Sequence, residues 1–242
     1  MEQNIAESPL FLNAWVWLEK NRKAVLFGVV GIAAAGLLAG TMAWSKKQKQ
    51  VAAGEALSQA LLAQMMSGGR ADGAGGLLKV ANSHAGTQGG AQAQLLAAGA
   101  LFVSGKYSES QAQFEKFGRE YVGHALAPQG KLGLASCLAS QGKTEEAARA
   151  YKDLADRYPN ANTASQARFA LGGIYESQGK LEDALSLFEQ VARTEVNGNL
   201  GSEAGMRAEE IRMKLPPVPM PVVTATPPIT VTPTNVAPPP GN

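Results

Sequence analysis

The chain has 242 residues and a formal net charge of +2; its hydrophobic content is 45%, but aromatic residues make up only 6%. Basic residues are scattered rather than interleaved with aromatic side chains, so a nucleic-acid partner is not expected. The single Cys137 cannot form an intrachain disulfide, and His84 and His124 lie far apart without neighbouring ligands, which argues against a zinc site.

Residues 1–23 form the first segment and carry apolar side chains at helical recurrence between Leu10 and Leu18. Two interpretations stay open for this segment. It could be a short helix that lies in a membrane surface, or an ordinary lead-in to the apolar run that follows.

Residues 24–44 are predicted to be a transmembrane helix. This run has no charge and one weakly polar side chain, Thr41, and as a helix it spans roughly 31 Å, about one hydrocarbon thickness. A cleaved signal peptide is the alternative, but the run is long for one and about twenty residues precede it. Three basic residues flank each end, so the charge count does not fix the orientation.

A repeat with a period of 37 residues follows the span. It sets Gly105, Gly142 and Gly179 at equal spacing, each followed by lysine, and it spaces the aromatic residues Phe114, Tyr151 and Phe188 in the same way. Such a period predicts stacked helical hairpins, which usually bind other proteins. We place the repeat domain at residues 46–214, with units at 54–90, 91–127, 128–163 and 164–200 and a cap helix at 201–214.

Each unit is predicted to be a helix, a turn and a second helix. In the 128–163 unit we expect Thr144 to cap the second helix, and Ser202 is expected to cap the last helix of the domain. That last helix should carry two ion pairs one turn apart, Glu203 with Arg207 and Glu210 with Lys214. In the first unit, glycines at 73, 75 and 76 should weaken the second helix.

The final segment, residues 215–242, contains ten prolines and no charged residue. Such a composition predicts an extended, disordered tail. The tail could be a spacer, a ligand for a proline-binding partner or simply an unbound end.

Two stretches of the sequence resemble known families. The segment LGGIYESQGKLEDALSLF, Leu171 to Phe188, resembles a tetratricopeptide repeat, which implies an α-solenoid of helix hairpins. The segment WVWLEKNRKAVLFGVV resembles the start of the YfgM family, although Arg22 stands where that motif usually has glycine. This second resemblance implies a bacterial inner-membrane protein with a cytoplasmic N-terminus and a periplasmic repeat domain, near the Sec translocon and periplasmic chaperones.

The tetratricopeptide resemblance also implies a concave groove lined by the first helix of each unit. The side chains that it places there are mostly apolar or small, and this suits a hydrophobic peptide, although some of them could serve packing alone. They are Leu95, Gly99, Phe102, Val103, Leu132, Ser136, Ser140, Phe169, Gly173 and Ser177.

No motif predicts catalysis. The glycines between 73 and 76 lack the Lys-Ser/Thr of a phosphate-binding loop, and Cys137 falls inside a predicted helix, where a core position is expected. We therefore expect no enzyme activity, no cofactor and no small-molecule substrate. The predicted fold is all-α, and two functions stay open: a membrane-tethered adaptor or chaperone-like subunit near the translocon, or a structural scaffold subunit of a bacterial cell-envelope assembly.

Overall fold

The computed structural model describes residues 9–66 and 73–216, and within them every regular element is an α-helix. The all-α prediction is therefore confirmed for this part of the chain, while residues 1–8 and all of the tail beyond 216 lie outside it. The helices are α1 Pro9–Lys20, α2 Arg22–Met66, α3 Gly73–Ser83, α4 Gln88–Val103, α5 Tyr107–Glu120, α6 Ala127–Ser140, α7 Thr144–Arg157, α8 Asn162–Ser177, α9 Leu181–Thr194 and α10 Asn199–Lys214.

Helix α2 joins the apolar run to the first repeat without a loop. Its 45 residues correspond to a length of roughly 67 Å. Its first buried side chain is Ala53, and the side chains of the helix before that residue are exposed apart from the half-buried Val25. From Ala53 onward the helix packs against α3 and α4. The contact with α4 is close, since a Cβ atom at Gly89 would lie 2.7 Å from the carbonyl carbon of Ala53.

The repeats are antiparallel hairpins. The C-terminal half of α2 pairs with α3, α4 with α5, α6 with α7 and α8 with α9, and each helix also packs on the next helix in the chain. The first helices of successive hairpins touch one another as well, α2 with α4, α4 with α6 and α6 with α8. These first helices therefore lie side by side and form one continuous face of the array.

The repeated glycines are explained by the turns inside the hairpins. Gly105, Gly142 and Gly179 have φ values of 75°, 74° and 73°, in the left-handed region that side chains disfavour. After Gly142, the N–H of Lys143 donates to the carbonyl of Leu138 at 3.0 Å, which closes the end of the first helix. The same bond recurs in the neighbouring units, so each glycine reverses the chain at an equivalent place.

The repeated aromatic residues fill the core between units. Phe114, Tyr151 and Phe188 are all buried, and Leu77 is buried at the equivalent position of the first unit. Each ring lies against a first helix that carries a small residue. A Cβ atom at Gly133 would come within 2.2 Å of the Phe114 ring, so α6 can pack this closely only with glycine there.

Three predictions about helix ends and ion pairs are wrong. Helix α7 begins at Thr144 with Lys143 as its N-cap, and the Thr144 hydroxyl donates back to the carbonyl of Gly142. Helix α10 begins earlier than expected, with Gly198 as its N-cap and Ser202 inside the helix. The loop between α9 and α10 is tight, because a Cβ atom at Gly201 would be 2.1 Å from the carbonyl oxygen of Glu195, and glycine is therefore needed in the first turn of α10.

The predicted ion pairs along α10 are replaced by pairs between helices. Arg207 and Lys214 both contact Glu176 of α8, at 3.3 and 3.5 Å, and neither pairs with the glutamate one turn before it. Glu176 is largely buried and lies within reach of both cations. The ion pairs therefore hold the last helix against the preceding unit.

Candidate functional site

The residues predicted to line the groove lie on three neighbouring first helices, α4, α6 and α8. We use the term first-helix face for the outward side of these helices and of the C-terminal half of α2. The structure divides the predicted residues into two groups, those that project from this face and those that also belong to the core.

The most exposed of the predicted residues lie at the ends of the helices. Val103, at the end of α4, is 87% exposed. Gly173 and Ser177 are exposed on α8, and Ser140 is exposed at the end of α6. These positions are open to a partner.

The larger predicted side chains are half-buried and support the core as well as the face. Leu95 packs between the clusters around Phe114 and Phe117. The Phe102 ring lies 5.2 Å from the ring of Tyr107, and the Phe169 ring lies 5.3 Å from that of Phe188. Leu132 and Gly99 are half-buried in the same way. These residues therefore lie beneath the exposed residues of the face and connect it to the core.

Two of the three predicted serine hydroxyls on this face, those of Ser136 and Ser177, bond within the protein. Ser136 Oγ donates to the carbonyl of Leu132 at 3.0 Å and lies 3.1 Å from the hydroxyl of Tyr151. Ser177 Oγ donates to the carbonyl of Ile174 at 2.7 Å. Because these groups bond within the protein, the face offers a ligand mainly apolar contact.

Sequence reasoning missed the part of the face that α2 contributes. Leu62, Met65 and Met66 are 57%, 79% and 81% exposed, whereas Leu57 on the same helix is buried. The repeat period contains the missing signal, because Met66 lies 37 residues before Val103 and Met65 lies 37 before Phe102. Extending the period back into α2 identifies these methionines as face positions.

Cys137 lies in the core, as predicted. Its thiol donates to the hydroxyl of Ser110 at 3.2 Å, and burial raises the pKa of the thiol although this bond opposes the shift. A raised pKa keeps the sulfur protonated and unreactive at neutral pH. Among the described residues, no group of His, Cys, Asp and Glu could hold a metal ion.

Comparison with known proteins agrees with this architecture. The similar solved structures include the TPR-like repeats named after a kinesin light chain of Podosopora anserina, with 14% identity, coverage of 66% of this chain and 84% of that chain, and a TM-score of 0.53. They also include a tetratricopeptide repeat protein from Parabacteroides merdae, with 14% identity, coverage of 67% and 60%, and a TM-score of 0.53. At such identities the likeness concerns the fold alone.

A type III secretion chaperone from Yersinia enterocolitica, solved with a peptide of the translocator YopD, is more distant, with 19% identity, coverage of 51% and 92%, and a TM-score of 0.45. No curated protein matches the sequence. The family described as a tetratricopeptide repeat-like domain matches residues 16–211, which include the apolar part of α2 as well as the repeats. The chain therefore belongs to the tetratricopeptide repeat-like domain family.

Proposed function

We propose that this protein is a membrane-anchored protein-interaction module whose first-helix face binds an apolar segment of another protein. The observation that carries this proposal is the set of exposed apolar side chains at the ends of α2 and α4, namely Met65, Met66 and Val103. Water disfavours such a set unless a partner covers it. These positions present few polar groups that could hydrogen-bond a ligand, which favours a hydrophobic peptide as the ligand.

The membrane anchor in this proposal is the apolar part of α2. Arg22–Met66 contains an 18-residue window with a mean hydropathy of 2.1, none of which is buried in the protein. Leaving this much apolar surface in water would cost about 25 cal/mol for every Å². A lipid bilayer would remove that cost, so we infer that the helix crosses a membrane once.

The resemblance of the N-terminal segment to the YfgM family supports the finer parts of the proposal. We infer a bacterial inner membrane, with the N-terminus in the cytoplasm and the repeat domain in the periplasm. In this setting the protein acts as a chaperone-like or adaptor subunit near the Sec translocon, with periplasmic chaperones among its partners.

The continuous α2 gives this arrangement a defined geometry. Only eight residues of helix, a rise of roughly 14 Å, separate Trp44 at the end of the apolar run from Ala53 at the start of the packed repeat. A helix without a break is stiff over such a length. The first-helix face is therefore held close to the membrane, where a segment emerging from a translocon would meet it.

Site-specific photocrosslinking in intact cells tests the proposal. A photoreactive side chain at Val103 or Met66 should trap partner proteins, because both positions project from the face. Val196 is the matched control, since it is also apolar and 72% exposed but lies in the loop before α10. Equal crosslinking at all three positions would contradict the proposal.

The identity of the trapped proteins separates the two functional hypotheses. Translocon subunits together with varied exported chains would support the adaptor. One partner at fixed stoichiometry would favour the structural scaffold instead.

A further inference from the structure

A second surface lies apart from the first-helix face, in a cleft between α5, the start of α6 and the end of α7. The cleft has a volume of about 450 Å³, within the usual range of ligand sites. Its apolar lining includes Phe114, Phe117, Leu134 and Tyr158. It shares no residue with the first-helix face, so it can act independently.

Glycines of α6 give the cleft its floor. A Cβ atom at Gly130 would lie 2.7 Å from the Phe117 ring, and one at Gly133 would lie 2.2 Å from the Phe114 ring. The two rings therefore rest directly on the backbone of α6 and lie beneath the cleft, where Phe114 keeps 7% of its surface exposed and Phe117 only 1%. One unit later, alanine replaces glycine at both positions.

Three cations line the cleft: Arg119, Lys131 and Arg157. Lys131 Nζ lies 2.9 Å from Asp153 Oδ2, and Arg157 contacts the other oxygen of the same carboxylate. Partial burial would raise the pKa of Asp153, but the hydrogen bonds from these two cations outweigh it and hold the pKa below its usual value. One ionised carboxylate is thus shared by two cations.

Arg119 supplies positive charge that the protein itself does not balance. Within the described part of the chain it has no ion pair, and Glu115, the one acidic residue in the lining, accepts a hydrogen bond from Gln111. Counting Glu115 and Asp153 against the three cations leaves the cleft with a surplus of one positive charge.

Comparison between units shows that the fold does not require these charges. At the position of Arg119, the preceding unit has Asn82 and the following unit has Asp156, which pairs with Lys152. At the position of Arg157, the neighbouring units have Glu120 and Thr194. Single basic residues do recur, since Arg168 stands at the position of Lys131 in the following unit and Arg193 at the position of Arg119 two units later. The combination of all three cations occurs at this boundary and not at the preceding or following one.

We propose that this cleft binds an acidic segment of a partner protein that carries a bulky apolar side chain. The apolar side chain would rest on Leu134 and Tyr158, which are half-buried in the lining, and carboxylates beside it would meet Arg119 and Lys131. Bonds between ionised partners are the stronger class of hydrogen bond, and arginine suits carboxylates because its planar group can contact both oxygens. The protein would then have two binding surfaces of different chemistry, one apolar and one cationic.

Fluorescence anisotropy with a synthetic peptide tests this inference. The probe is a labelled peptide of about ten residues with aspartates and glutamates on both sides of a phenylalanine; its counterpart has asparagine and glutamine instead. The full chain in detergent should bind the amide peptide about tenfold more weakly than the acidic peptide, or weaker still, since the loss of one charged hydrogen bond lowers affinity by about that factor. Added salt should weaken the acidic peptide's binding.

Two variants and one control locate the binding. Arg119→Glu should weaken the acidic peptide about tenfold or more without loss of fold, because Arg119 is exposed and unpaired within the described residues. Gly118→Phe should block the cleft, since a Cβ atom there meets open space and replacing a helical glycine favours the helix. Arg149→Glu makes the same charge change at an exposed position outside the cleft and should leave binding unchanged.

Several outcomes would overturn the inference. These are no binding by the unmodified protein, equal binding of the amide peptide, or full affinity in both cleft variants. Binding of phosphatidylglycerol vesicles through Arg119 without binding of the acidic peptide would assign the cleft to a lipid surface instead. Crosslinking from Val103 should be unchanged in Arg119→Glu. The proposal for the first-helix face and the proposal for the cleft can therefore be refuted independently of each other.

Discussion

Replacing Tyr151 with alanine tests the packing between units. The side chain is only 5% exposed and packs among Ala135, Leu138 and Leu171, so it touches the first helices of two successive hairpins. Removing a large buried side chain costs about 3–5 kcal/mol. For a domain of this size, each kcal/mol corresponds to a melting shift of about 2–4 °C, so Tyr151→Ala should melt roughly 10 °C lower.

Two companion variants divide this loss into its parts. Tyr151→Phe keeps the ring but removes the hydroxyl that lies 3.1 Å from Ser136 Oγ, and should cost about 1 kcal/mol. Val103→Ala, at an exposed position, should stay within about 0.5 kcal/mol of the unmodified protein. Melting is followed by circular dichroism on the full chain in detergent. If Tyr151→Ala and Val103→Ala shifted the melting temperature equally, the assigned packing between units would be refuted.

Two further predictions concern Cys137. A thiol reagent should not label the folded protein at neutral pH and should label it fully in denaturant, because the thiol is buried and burial raises its pKa; rapid labelling of folded protein would contradict this. Above the unfolded thiol pKa, about 8.5, the unfolded state ionises while the folded state resists, so the free energy of unfolding should fall as pH rises. The urea midpoint should fall less between neutral and alkaline pH in Cys137→Ala than in the unmodified protein. If the midpoint fell equally in both proteins, the pH dependence would belong to other groups, such as Tyr151, whose pKa burial also raises.

The repeat architecture could be predicted because its causes recur in the sequence. Glycine is favoured wherever the backbone adopts a positive φ, as at Gly142, and a large apolar residue fills the space between units, as Tyr151 does and Leu77 does in the first unit. Each feature appears at a spacing of 37 residues, so one copy supports the interpretation of the others. The exposed methionines of α2 follow from the same period once it is extended into that helix.

The start of α10, its ion pairs and the cationic cleft could not be predicted from the sequence, because they depend on contacts that capping and helix-turn patterns do not contain. Helix α10 starts before Ser202, where Gly201 lies against Glu195 across the short loop between α9 and α10, and the capping pattern alone does not contain this contact. Glu176 pairs with residues 31 and 38 positions later, so a search for pairs one helical turn apart could not find them. The cationic cleft combines residues from three helices, and no single repeat position marks it, because arginine returns at the position of Arg119 two units later as Arg193.

The continuity of α2 links the proposed surfaces to the proposed anchor. A flexible linker would let the repeats turn freely, whereas an unbroken helix fixes both their distance from the apolar run and their rotation about its axis. The rotation is set where α2 meets α4, because Gly89 lies against Ala53 and the backbone N–H of Gln88 donates to Gln50 Oε1 at 2.9 Å. Since the first helices then stack in order from α2, the direction in which Val103 projects follows from the orientation of α2 in the bilayer. A partner bound on the first-helix face would therefore be held at a defined position relative to the membrane.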